Sequence, residues 1–95
     1  MITEHALITI QAGRQADFEQ EFPKAKAVIS QANGFIDLQL HQGIESPDTY
    51  LLLIRWQTLE DHTVGFRQSA LFGEWRAIIG PFFASPPVVD HFTQL

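Results

Sequence analysis

Residues 49–56, Thr49-Tyr50-Leu51-Leu52-Leu53-Ile54-Arg55-Trp56 (TYLLLIRW), hold the reading that decides the fold. A strand with one wet face alternates apolar and polar side chains, because successive residues point to opposite sides of the sheet. From Tyr50 to Ile54 no alternate position is left for water, so this strand must be covered on both faces. In a chain of 95 residues there is room for one core and one layer of helices. Helices are expected to take one face of the sheet, and a second copy of the chain the other.

The neighbouring segments supply the rest of the sheet. Phe35 to Gln42 alternates, and Gly43 to Asp48 (GIESPD) carries turn chemistry, so residues 35–56 read as a hairpin. Ile2 to Gln11 mixes β-branched and apolar residues before Ala12-Gly13 and reads as a first strand. Val88 to Leu95, after Ser85-Pro86-Pro87, reads as the last.

Two helical stretches fall between these strands. Phe18, Phe22, Ala25 and Ile29 make one apolar stripe with Asp17, Glu19, Glu21 and Lys24 around it. Pro23 is expected to kink or restart that helix, since it lacks an N–H and crowds the preceding turn. Asn33-Gly34 is expected to end it as a left-handed cap. Thr58-Leu59-Glu60-Asp61 carries the hydroxyl-x-x-acid signal that starts a second helix. Gly65 and Ser69 are expected to divide it, and its second piece carries Phe72, Trp75 and Ile79 before Gly80-Pro81 stops it. The order β-α-β-β-α-β predicts an α+β, ferredoxin-like split fold with a four-stranded antiparallel sheet, in one domain spanning residues 1–95.

Composition narrows the function. The formal charge of −5, with six scattered Lys and Arg, argues against a nucleic-acid partner. With no Cys, there is no thiolate nucleophile, disulfide framework or iron–sulfur site. The start MITEHALITI has neither a basic leader nor a long apolar run, so no membrane partner is expected and the cytoplasm is the default compartment. Charged residues reach only 18% beside 45% apolar, below the usual quarter, which again favours a homodimer. No phosphate-binding loop, dinucleotide fingerprint, HExxH or GxSxG is present. A pocket enzyme or a binding module remains.

Within that frame a few side chains stand out. His5, His41, His62 and His91 fall on three strands and one helix with no i,i+4 pair, so structural roles outweigh a metal site and no metal is expected. His62 lies one turn after Leu59 and one before Phe66, which turns it toward the sheet. It reads either as a proton donor or acceptor for an aromatic substrate or as an imidazole bonded to backbone. Trp56, Phe66, Phe72, Trp75, Phe82 and Phe83 read first as core, and Trp75 and Phe72 are the best candidates among them for the walls of a cavity that stacks on a flat ligand. Arg55, Arg67 and Arg76 sit among apolar residues. Each reads as an anion donor or as the partner of a nearby carboxylate, and Arg76, beside Trp75, is the best candidate donor.

The stretch YLLLIRWQTLEDHTVGFRQSALFGEWRAIIGPFFASPPVVDHF, together with the Asn33-Gly34-Phe35 turn, resembles the antibiotic biosynthesis monooxygenase domains of the dimeric α/β-barrel superfamily. The resemblance implies a homodimer whose two sheets pack into a barrel, with a pocket between sheet and helices in each subunit. It also implies oxidation of a small phenol or quinol by O₂ without metal, flavin or other cofactor. His62 would then serve as the acid/base, Arg76 as the anion donor, and Trp56 and Trp75 would help shape the cavity. Haem-degrading relatives carry an axial His on the last helix and an Asn on the first strand. Arg76 and Ala6 stand at those places, so haem is not expected. The alternative within the same resemblance is a non-catalytic, small-molecule-binding or stress-related dimer.

Overall fold

A computed structural model describes all 95 residues. Four strands, β1 (Ile2–Thr9), β2 (Phe35–Gln42), β3 (Thr49–Trp56) and β4 (Val88–Phe92), form one antiparallel sheet in the order β2-β3-β1-β4. Two helices, α1 (Gln15–Ile29) and α2 (Ala70–Ile79), provide the crossovers of a split β-α-β-β-α-β fold. The hairpin strands have the bounds the sequence predicts. The first strand is shorter: Ile10 forms only an isolated bridge to Phe83, because the backbone there turns to bond Asp48 and Phe82.

Along β3 the helix-facing side chains Tyr50, Leu52, Ile54 and Trp56 are buried. Opposite them, Leu51 and Leu53 are half-buried. The same parity runs through β1, where Glu4, Ala6 and Ile8 point under the helices and Leu7 points out. The helices seal the inner face with the predicted stripe, since Phe18, Phe22, Ala25 and Ile29 are all buried. Tyr50 donates its hydroxyl to Glu19 Oε2 at 2.5 Å, fastening α1 to β3.

Three expectations are corrected. Helix α1 runs through Pro23 as a single helix, held by buried side chains on both sides of the proline. Its end is at Ile29, with Ser30 as a right-handed cap. Gly34, at φ +81°, instead makes the turn in which Phe35 N–H bonds Ala32 C=O at 3.2 Å. The second helical region does break near Ser69, but Gly65 is not the divider. It lies inside a π-helical turn, Asp61–Phe66, in which Arg67 N–H reaches back five residues to His62 C=O.

Candidate active site

The π-helical turn starts with a reciprocal cap: Asp61 N–H donates to Thr58 Oγ1 at 3.1 Å, and Thr58 N–H to Asp61 Oδ2 at 3.2 Å. From that start the turn presents His62 and Phe66 together to the sheet, both buried. Wide turns of this kind are rare and recur at functional sites.

His62 meets a residue that the sequence reading passed over. Glu4, on the inner face of β1, is only 5% exposed, and its Oε1 accepts Trp56 Nε1–H at 3.0 Å. His62 Nε2 lies 3.2 Å from the same oxygen. On its other side, His62 Nδ1 stands 2.8 Å from His91 Nε2 of β4. The indole of Trp56 stacks on the His62 ring, centroids 5.3 Å apart and planes at 22°. Trp56, Glu4, His62 and His91 thus form a continuous polar cluster inside an otherwise apolar core.

Burial governs its protonation. Loss of hydration pushes the Glu4 carboxyl up to about 7, against the opposing pull of the Trp56 bond and the positive charge of Arg67. The same loss pushes His62 down to about 4, aided by Arg67 and His91. His91 is lowered as well, by burial and then by Arg67, with Asp90 acting the other way. The cluster therefore holds a carboxyl that ionises near neutrality beside an imidazole that stays uncharged.

It opens on a cavity of about 940 Å³ between sheet and helices, at the upper end of ligand-site sizes. Glu4, His62, Phe66, Phe72, Trp75 and Arg76 all contribute to its wall, as does Arg67. Five of the six side chains singled out from sequence thus line one space. The sixth, Trp56, is fully buried behind it and touches the site through Glu4 and His62. Of the three arginines, Arg55 pairs with Asp37 across the outer face, Nε to Oδ1 2.8 Å. Arg76 lies over the Phe72 ring, 5.8 Å from its centroid. His5 and His41 lie apart from the site, His5 against Phe92 and His41 beside Gln39. No three His, Asp or Glu side chains converge as metal ligands would.

Glu4 and His91 were missed for different reasons. Counting every second residue back from Ile10 and Ile8 through Ala6 places Glu4 on the buried parity, so a signal existed. His91 is 29 residues from His62 and meets it only because β4 pairs with β1, setting His91 opposite Glu4.

Residues 1–78 match the model of the family described as antibiotic biosynthesis monooxygenase. The chain belongs to that family. Among members of the antibiotic biosynthesis monooxygenase family, a Bordetella bronchiseptica protein assigned to it has a crystal structure that superposes with a TM-score of 0.96. The two are 44% identical, covering 99% of this chain and 96% of that one. An uncharacterized Bacillus subtilis protein, YczJ, is 41% identical over the full length of both chains. SnoaB, a cofactor-independent oxygenase from Streptomyces nogalater, shares the fold at 17% identity, with a TM-score of 0.83 over 99% of this chain and 92% of that one. No helix is long and apolar enough to cross a membrane.

Proposed function

We propose that the chain is a cofactor-independent monooxygenase acting on a small phenol or quinol held in the cavity. The observation that carries this reading is the buried Glu4–His62 contact on the wall of a 940 Å³ apolar space. A deprotonated, electron-rich ring can reduce O₂ itself. The protein's task is to take the hydroxyl proton, hold the anion and exclude water. In the balanced reaction a phenol with an open ring position and O₂ give a quinone and water. One oxygen atom enters the ring, and the ring hydrogen and the hydroxyl hydrogen leave in the water.

The acid/base work belongs to the cluster around His62. Arg76, with Arg67, faces the phenolate charge, and Phe66, Phe72 and Trp75 form the apolar walls. Family membership and the shared fold of SnoaB support the reaction type. The functional unit is a homodimer formed through the outer face of the sheet, where Leu7, Val88 and Phe92 are exposed.

Oxygen uptake with a panel of phenols and hydroquinones in chelator-treated buffer tests this. Turnover that incorporates label from ¹⁸O₂ and is lost in His62→Ala is expected. Ligand-dependent thermal stabilisation with no oxygen uptake across the panel would overturn it in favour of a binding protein.

A further inference from the structure

We propose that the group that takes the proton from the bound substrate is Glu4, through Oε2, and that His62 and His91 are positioning residues behind it. This rests on the monooxygenase reading and divides the roles within its site.

The first argument is which atoms are free. Glu4 Oε1 accepts the Trp56 indole N–H and faces His62 Nε2, while Oε2 takes no bond. No buried side-chain oxygen or nitrogen in the molecule lacks a partner, so Oε2 is an accessible atom, and the space Glu4 borders is the cavity. His62 has no such atom to spare. Its Nδ1 is 2.8 Å from His91, its Nε2 is 3.2 Å from Glu4, and one ring face is covered by Trp56.

The second argument is cost. A carboxyl on the inner face of the sheet's interior strand β1 sits in register with Ile54 on one side and His91 on the other. Burying it there is unfavourable, and a Gln or Met would fill the same place more cheaply. What it gains is an acid whose ionisation lies near neutrality, where a general base works best. The groups that face it are the uncharged imidazoles of His62 and His91 and, across the cavity, the guanidinium groups of Arg67 and Arg76, while Asp90 points to the outer face of the sheet and acts only on its neighbour His91.

In the step itself the substrate O–H bond breaks heterolytically. The proton goes to Oε2 and the electron pair stays on the phenolate oxygen. One negative charge thus moves from the carboxylate to the substrate, and the cavity's net charge, faced by Arg67 and Arg76, does not change. His62 and His91 fix the carboxyl so that Oε2, and not Oε1, meets the ligand.

The experiment has a ligand-free arm and a ligand arm. The Trp56 indole ¹⁵N–¹H resonance, told from Trp75 with Trp75→Phe, is followed against pH. A transition near neutrality is expected in wild type, absent in Glu4→Gln and retained at a shifted midpoint in His62→Gln. For the second arm, 4-nitrophenol is added. At about pH 8, where free 4-nitrophenol is mostly phenolate and Glu4 mostly ionised, wild type is expected to take up about one proton from the buffer on binding it and Glu4→Gln none, read from binding heats in buffers of different ionisation enthalpy, with turnover of an accepted phenol falling about 10²–10⁴-fold in Glu4→Gln. His91→Gln is expected to shift the pH profile and keep most of the rate. A Trp56 transition that survives Glu4→Gln, or a folded Glu4→Gln protein that takes up the same proton as wild type on binding 4-nitrophenol, would overturn the assignment. A wild type that takes up the proton through Glu4 but consumes no O₂ supports the assignment and sinks only the monooxygenase reading.

Discussion

His62 Nε2 lies 3.2 Å from Glu4 Oε1, and both side chains are almost wholly withdrawn from solvent. Their ionisations move in opposite senses, with Glu4 raised to about 7 and His62 lowered to about 4. The folded state therefore binds an extra proton at Glu4 between pH 4.5 and 7, which makes stability fall as pH rises. It lacks a proton at His62 between pH 4 and 6.5, which makes stability rise. Across the overlap the two effects cancel, and this pair leaves the wild-type profile flat. Glu4→Gln is expected to expose the His62 effect, with stability increasing from pH 4 to 6.5. His62→Gln is expected to expose the opposite slope up to pH 7. Each slope approaches about 1.4 kcal/mol per pH unit, the linkage of one proton. Urea unfolding at a series of pH values measures this, and parallel profiles in all three proteins would refute the coupling.

Trp56 is the only donor hydrogen-bonded to Glu4, and that bond lowers the acid's ionisation point. Trp56→Phe removes the N–H while keeping an aromatic ring under His62. The Glu4 midpoint is expected to rise above its wild-type value, seen as a protonated-carboxyl infrared band persisting to higher pH. A stability loss of about 2–3 kcal/mol should accompany it, from the lost charged hydrogen bond and the volume deleted. A midpoint that falls would mean that the indole N–H bond does not favour the ionised carboxylate.

How far this site could be read from sequence depended on whether each residue's neighbour was local. Phe18, Phe22, Ala25 and Ile29 declared their face through spacing alone, and all four are buried. The Thr58-to-Asp61 cap was visible because both its partners lie within one turn. The π-helical geometry after it was not, since widening a helix by one residue leaves no mark on an apolar pattern as short as His62 to Phe66. Pro23 misled for a related reason: the local clash argues for a break, while the packing that overrides it comes from a sheet assembled from distant residues. Trp56 bonds Glu4 and stacks on His62 without reaching the cavity wall. Its place behind the wall follows from the parity of β3, which sets it across from Phe35 and Ile2, at the end of the sheet where Glu4 lies.

Gly34 links the α1–β2 turn to the π-helical turn. Its φ of +81° disfavours any side chain, and a Cβ placed there would collide with the Asp61 carboxylate that caps His62's turn. Gly34→Ala is expected to cost about 1–3 kcal/mol by chemical denaturation. The cost should shrink in an Asp61→Ala background, where the collision is gone and only the backbone strain remains. Equal costs in both backgrounds would show that the carboxylate does not hold the turn.

The outer face of the sheet returns to the strand TYLLLIRW. Leu51 pairs with Leu7 of β1, and Leu7 with Val88 of β4, so three aliphatic side chains form a row across the sheet on the side without helices. Leu7 is 42% exposed, Val88 60% and Phe92 54%, a larger apolar presence than isolated surface residues require. If a second copy covers this row, Leu7→Glu places an unpaired carboxylate at the centre of the interface, where desolvation opposes association by several kcal/mol. Because Leu7 points away from the helix-facing core, the monomer's own packing is not disturbed. Light scattering is expected to give twice the 10.8 kDa chain mass for wild type at micromolar concentration. Leu7→Glu should give the single-chain mass with its circular dichroism unchanged. A wild type that already scatters as a monomer would refute the dimer, and the exposed row would then need another partner.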